Sequence, residues 1–267
     1  MSRIIGIVTN DASEVFQSNV IAGIQSYAAE RDYDLVIEET EKLQKPRTVL
    51  DRLDSLAGIL AIANAVEDHT LRDIYELGMP ISLVSHQIPG TSIPSVIPDN
   101  FTGMTQLVDY LIGKGRRIRI AFIEGDQKQN DGFERSVAFH QALLRHDYET
   151  PPELLFPGEF NPTISAKSTR RAIQRGIKFD AIAAADYRLA IAAMQVLREV
   201  GIRVPEDVHV IGFGDGQEAD AAGLTTVGVD VERLGMRAVR QLIGQIEGLR
   251  IRGVTLVRTS IVERASC

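Results

Sequence analysis

The chain has 267 residues, 44% hydrophobic and 24% charged, a composition that fits a folded globular protein and excludes a disordered or low-complexity one. Its formal net charge of −7 argues against strong nucleic-acid binding by this chain alone, because phosphate contacts need clustered lysine and arginine. The single cysteine is the last residue, Cys267, so there is no disulfide framework and no thiolate metal site, and no apolar run is long enough to span a bilayer.

In chain order, the pattern alternates short apolar runs with amphipathic stretches. RIIGIV (3–8) reads as a buried strand, and its apolar run stops at once in Asn10 and Asp11, unlike a secretory signal. A cytoplasmic location is therefore expected. Apolar residues at helical spacing follow over 15–32, then a strand over 33–39 and a helix over 45–55. A strand over 57–63, a helix over 67–77 and a strand over 80–85 come next. SVIPDN (95–100) reads as a turn that opens a helix over 101–113. The basic cluster GKGRRIRI (113–120) is expected to complete the end of that helix, where the dipole favours cations.

After Gly115 the rhythm restarts. RIAFIEG (119–125) is a strand, 133–147 a helix, and LLFPGEF (154–160) extended. Thr163 or Ser165 can cap a helix running to Arg175. A strand over 179–186, a helix over 187–202 and the strand VHVIGF follow. TTVGVD (225–230) is extended, 231–249 is a helix, and VTLVRTSIVER (254–264) is extended again. Strand–helix–strand repetition of this kind predicts parallel sheets covered on both faces. The predicted fold class is α/β, with two doubly wound parallel-sheet lobes around a cleft, joined by three crossovers. The predicted division is 1–115 plus 228–252 for the N-terminal lobe, and 116–227 plus 253–267 for the C-terminal lobe.

VHVIGF ends in Gly212, Gly214 and Gly216. A dinucleotide loop needs G-x-G-x-x-G with a helix starting on the spot, and a Walker loop needs a lysine and a hydroxyl residue after its last glycine. Neither is present, so a phosphate cradle is not expected. The strand end still lies where open α/β sheets place their ligands.

The segment FDAIAAADYRLAIAAMQVLREVGIRVPEDVHVIGFGD, followed by LTTV, VERLGMRAVRQLIGQIEG and VRTSIVER, resembles the effector-binding core of the lac-repressor (LacI/GalR) family. VIPDNFTG (96–103) and the pair GKGRRIRIAFIEG and FERSVAFHQAL agree, so the resemblance covers nearly the whole chain. It implies a periplasmic-binding-protein-like type I fold whose lobes close on a small polar effector, sugar-like most of all. It also implies a cytoplasmic homodimer, with DNA reached only through a helix-turn-helix headpiece that is expected to lie outside this chain. Dimer contacts are expected on the helices over 67–77 and 187–200.

The resemblance also nominates site residues. Arg135 matches an arginine whose planar fork suits hydroxyls or a carboxylate. Asp186 matches an asparagine at a strand end, with Tyr187 in place of the aspartate that follows it. Phe160 matches an aromatic that stacks on ligand, and Asp11 and Phe16 stand at its lobe-one counterpart. Asp99 and Asn100 match an Asp-Asn pair, of which one residue can cap a helix while the other meets ligand. Gly214 departs from the family, which carries an acid or asparagine there; Asp215 is the alternative, as ligand contact or as cap. Asn64 ends the strand over 57–63 and belongs to the same edge. His86 is expected to be structural.

No catalytic constellation is present: there is no G-x-S-x-G elbow and no H-E-x-x-H, and the five histidines lack zinc-ligand spacing. No enzyme activity, cofactor, metal or membrane partner is expected. The alternatives are a sensor domain of a multidomain kinase or cyclase, or a solute-binding protein.

Overall fold

A computed structural model describes residues 3–40, 50–114 and 119–267. The chain divides into two compact units, residues 1–98 with 230–257, and residues 99–229 with 258–267. The backbone thus passes between units three times, at 98/99, 229/230 and 257/258.

The first unit holds β1 (Ile4–Thr9), α1 (Val15–Ala29), β2 (Asp34–Glu39), β3 (Gly58–Ile62), α2 (Asp68–Glu76), β4 (Ile81–Val84), β5 (Ser95–Pro98), α8 (Val231–Ile246) and β11 (Val254–Val257). Its sheet order is β11-β5-β4-β3-β1-β2, and every pairing is parallel. All residues of β3, β4 and β5 are buried, as strands covered on both faces must be. Helices α1 and α8 cross closely enough that glycine is required: a Cβ on Gly23 would lie 2.0 Å from the Glu232 carbonyl oxygen, and one on Gly235 would lie 2.0 Å from that of Val20.

The second unit holds α3 (Asn100–Gly113), β6 (Ile120–Ile123), α4 (Asn130–Leu144), β7 (Leu155–Phe156), α5 (Pro162–Gln174), β8 (Ala181–Ala184), α6 (Tyr187–Glu199), β9 (His209–Phe213), α7 (Gln217–Ala221), β10 (Thr225–Val229) and β12 (Thr259–Val262). Its order is β12-β10-β9-β8-β6-β7, parallel except for β12 against β10. Alternate residues feed two cores. Ala121, Ile123, Ile182 and Ala184 face one; Ile120, Phe122, Ala181 and Ala183 face the other, where Phe122 stacks on Phe139 at 4.3 Å.

Several expectations are corrected. SVIP is the strand β5, not a turn, because it pairs on both sides, with β4 and β11. The stretch 254–264 is two strands in two sheets, not one. Helix α4 starts at Asn130, three residues before the expected 133. Within 154–160 only Leu155 and Phe156 are strand, and Glu159 and Phe160 turn left-handed, at φ 49° and 53°. Asn161, not Thr163 or Ser165, caps α5; it accepts from the Thr163 and Ile164 amides, and Pro162 begins the helix. The helix expected over 45–55 falls partly on 41–49, outside the described residues, and 50–55 is a 3-10 turn. The unit boundaries also differ from the predicted 115/116, 227/228 and 252/253. Helix α3 lies with the second unit because Met104, Leu107, Val108 and Leu111 join its core. Lys114 follows α3 and pairs with Glu263 at 2.5 Å, so this member of the basic cluster has a protein partner; residues 115–118 lie outside the described residues.

Candidate functional site

The candidate residues follow the carboxyl ends of parallel strands, where the loops of α/β sheets carry ligand groups. In the first unit, Asp11 and Phe16 follow β1 and Asn64 follows β3; in the second, Asp99 comes directly after the end of β5, Phe160 follows β7, Asp186 follows β8 and Asp215 follows β9. The phase of the helices does the rest. Arg135 lies in the second turn of α4, on the helix side that faces the sheet.

Arg135 is the centre of a buried cluster. It is 7% exposed, its Nε donates to Asn100 Oδ1 at 2.8 Å, and its Nη1 donates to the Ala185 carbonyl at 2.9 Å. Nη2 stands 3.2 Å from Asp131 Oδ2. The guanidinium lies over the Phe213 ring, 4.0 Å from its centroid, with Phe160 at 5.9 Å. Asn100 Nδ2 donates to Asp131 Oδ1 at 2.9 Å and to Glu134 Oε2 at 2.7 Å. The cation thus meets Asp131 directly and Glu134 through the buried Asn100 amide, with the Phe213 ring against the guanidinium. Gly125 makes room for Phe160: a Cβ there would stand 2.4 Å from the ring.

The Asp-Asn pair divides its work. Asp99 caps α3, accepting from the Thr102 amide at 3.1 Å, while the neighbouring Asn100 turns inward to Arg135. Asp186 caps α6 by accepting from the Arg188 amide at 2.9 Å, and the Arg188 side chain holds its carboxylate at 3.0 Å. Asp215 is gripped by both terminal nitrogens of Arg264, at 2.9 and 3.1 Å, and accepts from Thr226 Oγ1 at 2.9 Å. The structure therefore brings Arg135, Asn100 and Phe160 together. Asp186 adjoins the Ala185 carbonyl that Arg135 holds, and Asp215 belongs to a separate pair with Arg264.

In the first unit, Asp11 Oδ1 accepts from the Ser13 amide at 2.9 Å and from its hydroxyl at 2.6 Å. Phe16 is half-buried in the first turn of α1, and Asn64 is exposed. Ala63 and Ser85, just beyond β3 and β4, both adopt left-handed backbone, at φ 51° and 50°. Such strain in non-glycine residues clusters at ligand sites. His86 is buried and its Nε2 meets Asp68 Oδ1 at 2.8 Å, a structural contact.

The glycines after β9 serve packing. A Cβ on Gly212 would lie 2.7 Å from Tyr187 Cα, one on Gly214 would lie 3.3 Å from the Tyr187 ring, and one on Gly216 would lie 3.1 Å from its hydroxyl. Gly214 also has φ +82°. Tyr187 therefore lies over this loop, and the missing acid at 214 is explained by that ring and that backbone. Sequence reasoning missed Asp131, Glu134 and Phe213. Asp131 lies before the expected helix over 133–147, Glu134 lies inside it with no motif to single it out, and Phe213 belongs to the strand VHVIGF. Glu124, just after β6, has its carboxyl pKa raised by desolvation, against a lowering influence from His140.

Among the described residues no group of three or more histidine, cysteine, aspartate or glutamate side chains is placed to hold a metal, and no helix is long and apolar enough to cross a membrane.

Comparison with known proteins places this geometry. Residues 108–267 match the family described as periplasmic binding protein-like domain. The HTH-type transcriptional regulator CelR of Thermobifida fusca is 29% identical over 261 residues, covering 95% of this chain and 76% of that protein. The HTH-type transcriptional repressor CytR of Escherichia coli (strain K12) is 25% identical over 272 residues, covering 99% of this chain and 79% of that protein. The solved structure of a transcriptional regulator CelR–cellobiose complex superimposes with a TM-score of 0.90 at 26% identity, over 100% of this chain and 85% of that one. With more than half its length matched, the chain belongs to the periplasmic-binding-protein-like family and is an effector-binding core of the LacI/GalR type.

Proposed function

We propose that this chain is the sensor of a LacI-type transcriptional regulator. It binds a small polar metabolite, sugar-like in chemistry, at the carboxyl ends of its parallel strands. The reading is carried by the Arg135 cluster: a guanidinium fixed by Asn100, Asp131 and the Ala185 carbonyl, with ring faces beside it. A fork held this way costs little further ordering when a vicinal diol or a carboxylate arrives. Phe160 supplies an apolar face for a sugar ring, and Asp186 supplies an acceptor for hydroxyls; in the first unit, Asp11 and Asn64 offer polar groups and Phe16 an apolar face. The similar CelR is described in complex with cellobiose, which favours a saccharide over a nucleobase. The protein acts in the cytoplasm as a homodimer, and DNA contact belongs to a helix-turn-helix segment of the kind its relatives are named for, not to residues 1–267, whose net charge is −7.

The test is thermal unfolding against mono- and disaccharides, sugar phosphates, nucleobases and amino acids. A ligand that binds only the folded state at a hundredfold excess over its Kd adds about 2.7 kcal/mol. A saccharide is expected to raise the midpoint, and Asn64→Ala and Arg135→Lys to reduce the shift. Arg135→Ala is the wrong probe: truncating a buried pair costs about 3–5 kcal/mol by leaving its carboxylates unpaired. A shift from amino acids or nucleobases alone, or from nothing in the panel, overturns the saccharide reading.

A further inference from the structure

We propose that the outer face of α8 is a docking groove for an acidic segment of a partner protein. Arg233, Arg237 and Arg240 line a groove of about 650 Å³ on the first unit, together with Tyr27, Met236 and Leu249. The arginines stand at i, i+4 and i+7, so their guanidiniums follow one helix face over about 10 Å. None of the three has an ion-pair partner among the described residues, whereas Arg170, Arg188, Arg203 and Arg264 are all paired. The one acid in the lining, Asp230, is turned onto its own helix, where it accepts from the Arg233 amide at 2.9 Å. The groove is thus a row of uncompensated positive charge on a chain whose net charge is −7.

Its other side chains point to a protein as occupant. Arginine, tyrosine and methionine are enriched at interface centres and lysine is depleted; this lining has the first three and no lysine. Met236 and Leu249 are 39% and 61% exposed, so apolar surface is left in water beside the charges. A small metabolite is a poor fit, because its sites bury most of the ligand, and here Arg233, Arg240 and Leu249 remain exposed. An extended or helical segment with carboxylates on one side and an apolar residue on the other satisfies both features.

The experiment uses fluorescence anisotropy with a fluorescein-labelled peptide of alternating glutamate and leucine, and a matched peptide with lysine in place of glutamate. The intact chain binds the acidic peptide, more weakly as salt rises, and does not bind the basic one. The double variant Arg237→Glu with Arg240→Glu weakens binding at least about tenfold while its unfolding midpoint stays near the parent value, because no ion pair is lost. Arg240→Ala weakens binding by a smaller factor in the same direction. Absence of binding at low salt, or equal affinity of the parent and the double variant, overturns the proposal. It is also overturned if the double variant dissociates a dimer in sedimentation, for the face is then covered by a second copy of the chain. The saccharide-induced shift of the unfolding midpoint is unaffected by these substitutions, so the two readings fail separately.

Discussion

At Gly214 a side chain would meet a left-handed backbone, φ +82°, and a tight contact of 3.3 Å with the Tyr187 ring. Restoring the family's acid with Gly214→Asp is therefore expected to cost about 1–2 kcal/mol for the left-handed backbone alone, with ring contact adding to it. Urea unfolding measures this; an unchanged or raised midpoint refutes the packing account. The sequence flagged Gly214 as a departure, yet it gave no hint that Tyr187 was its counterpart, because the contact joins a helix start to a strand end. Cys267 makes a second residue-scale case. Burial pushes its thiol up to about 11, and the Sγ donates to the Val210 carbonyl at 3.1 Å. A folded-state value above the unfolded one means stability that is fully present below the ordinary thiol range of about 8.5 and is lost as pH rises towards about 11. Ellman's reagent should react slowly with the folded chain at pH 8 and fast after unfolding. Equal rates in the two states would show a thiol free in solvent.

For the elements, the sharpest constraint is the crossing of α1 and α8. A methyl group at Gly23 or Gly235 meets a carbonyl oxygen of the other helix, which no rotamer can relieve. Gly23→Ala and Gly235→Ala should each destabilise by about 1–3 kcal/mol or more, as overpacking does. Gly113→Ala, with open space at its Cβ, is the control and should be neutral or mildly stabilising. Equal effects at all three positions would remove the close crossing from the account. The helices themselves were legible, since their apolar period is local. Their starts were less so. Asn161 and Pro162 form the cap and first residue of α5, yet Thr163 and Ser165 compete for the role on composition alone. Reading α4 to begin at 133 hid Asp131, whose carboxylate belongs to the Arg135 cluster.

In the whole molecule, each unit is a six-stranded sheet assembled from non-adjacent parts of the chain. The homodimer proposed above predicts that sedimentation at micromolar concentration gives twice the chain mass, and the exposed Leu77 at the end of α2 is a natural contact. Leu77→Asp should shift the equilibrium towards monomer without lowering the unfolding midpoint of the isolated chain. A parent chain that sediments as a monomer counts against the dimer. If the dimer persists in the variant, that helix is not part of the interface.

The sequence by itself determined the alternation of strand and helix, the parallel α/β class, the three crossovers in kind, and the placing of candidate residues just beyond strand ends. The alternation and the parallel class follow from periodicities of two and 3.6 residues, which are properties of neighbouring residues, whereas the crossovers rest on the order of the elements and the candidate residues on the family resemblance. Tertiary structure decided which sheet each late strand joins, with β11 paired to β5 and β12 to β10. It also decided which side chains are free to meet a ligand. Asp215 is taken by Arg264, 49 residues away, and Arg135 is set by Asn100, 35 residues away. Such partners are chosen by how the elements pack, and packing joins residues whose separation along the chain carries no local signal.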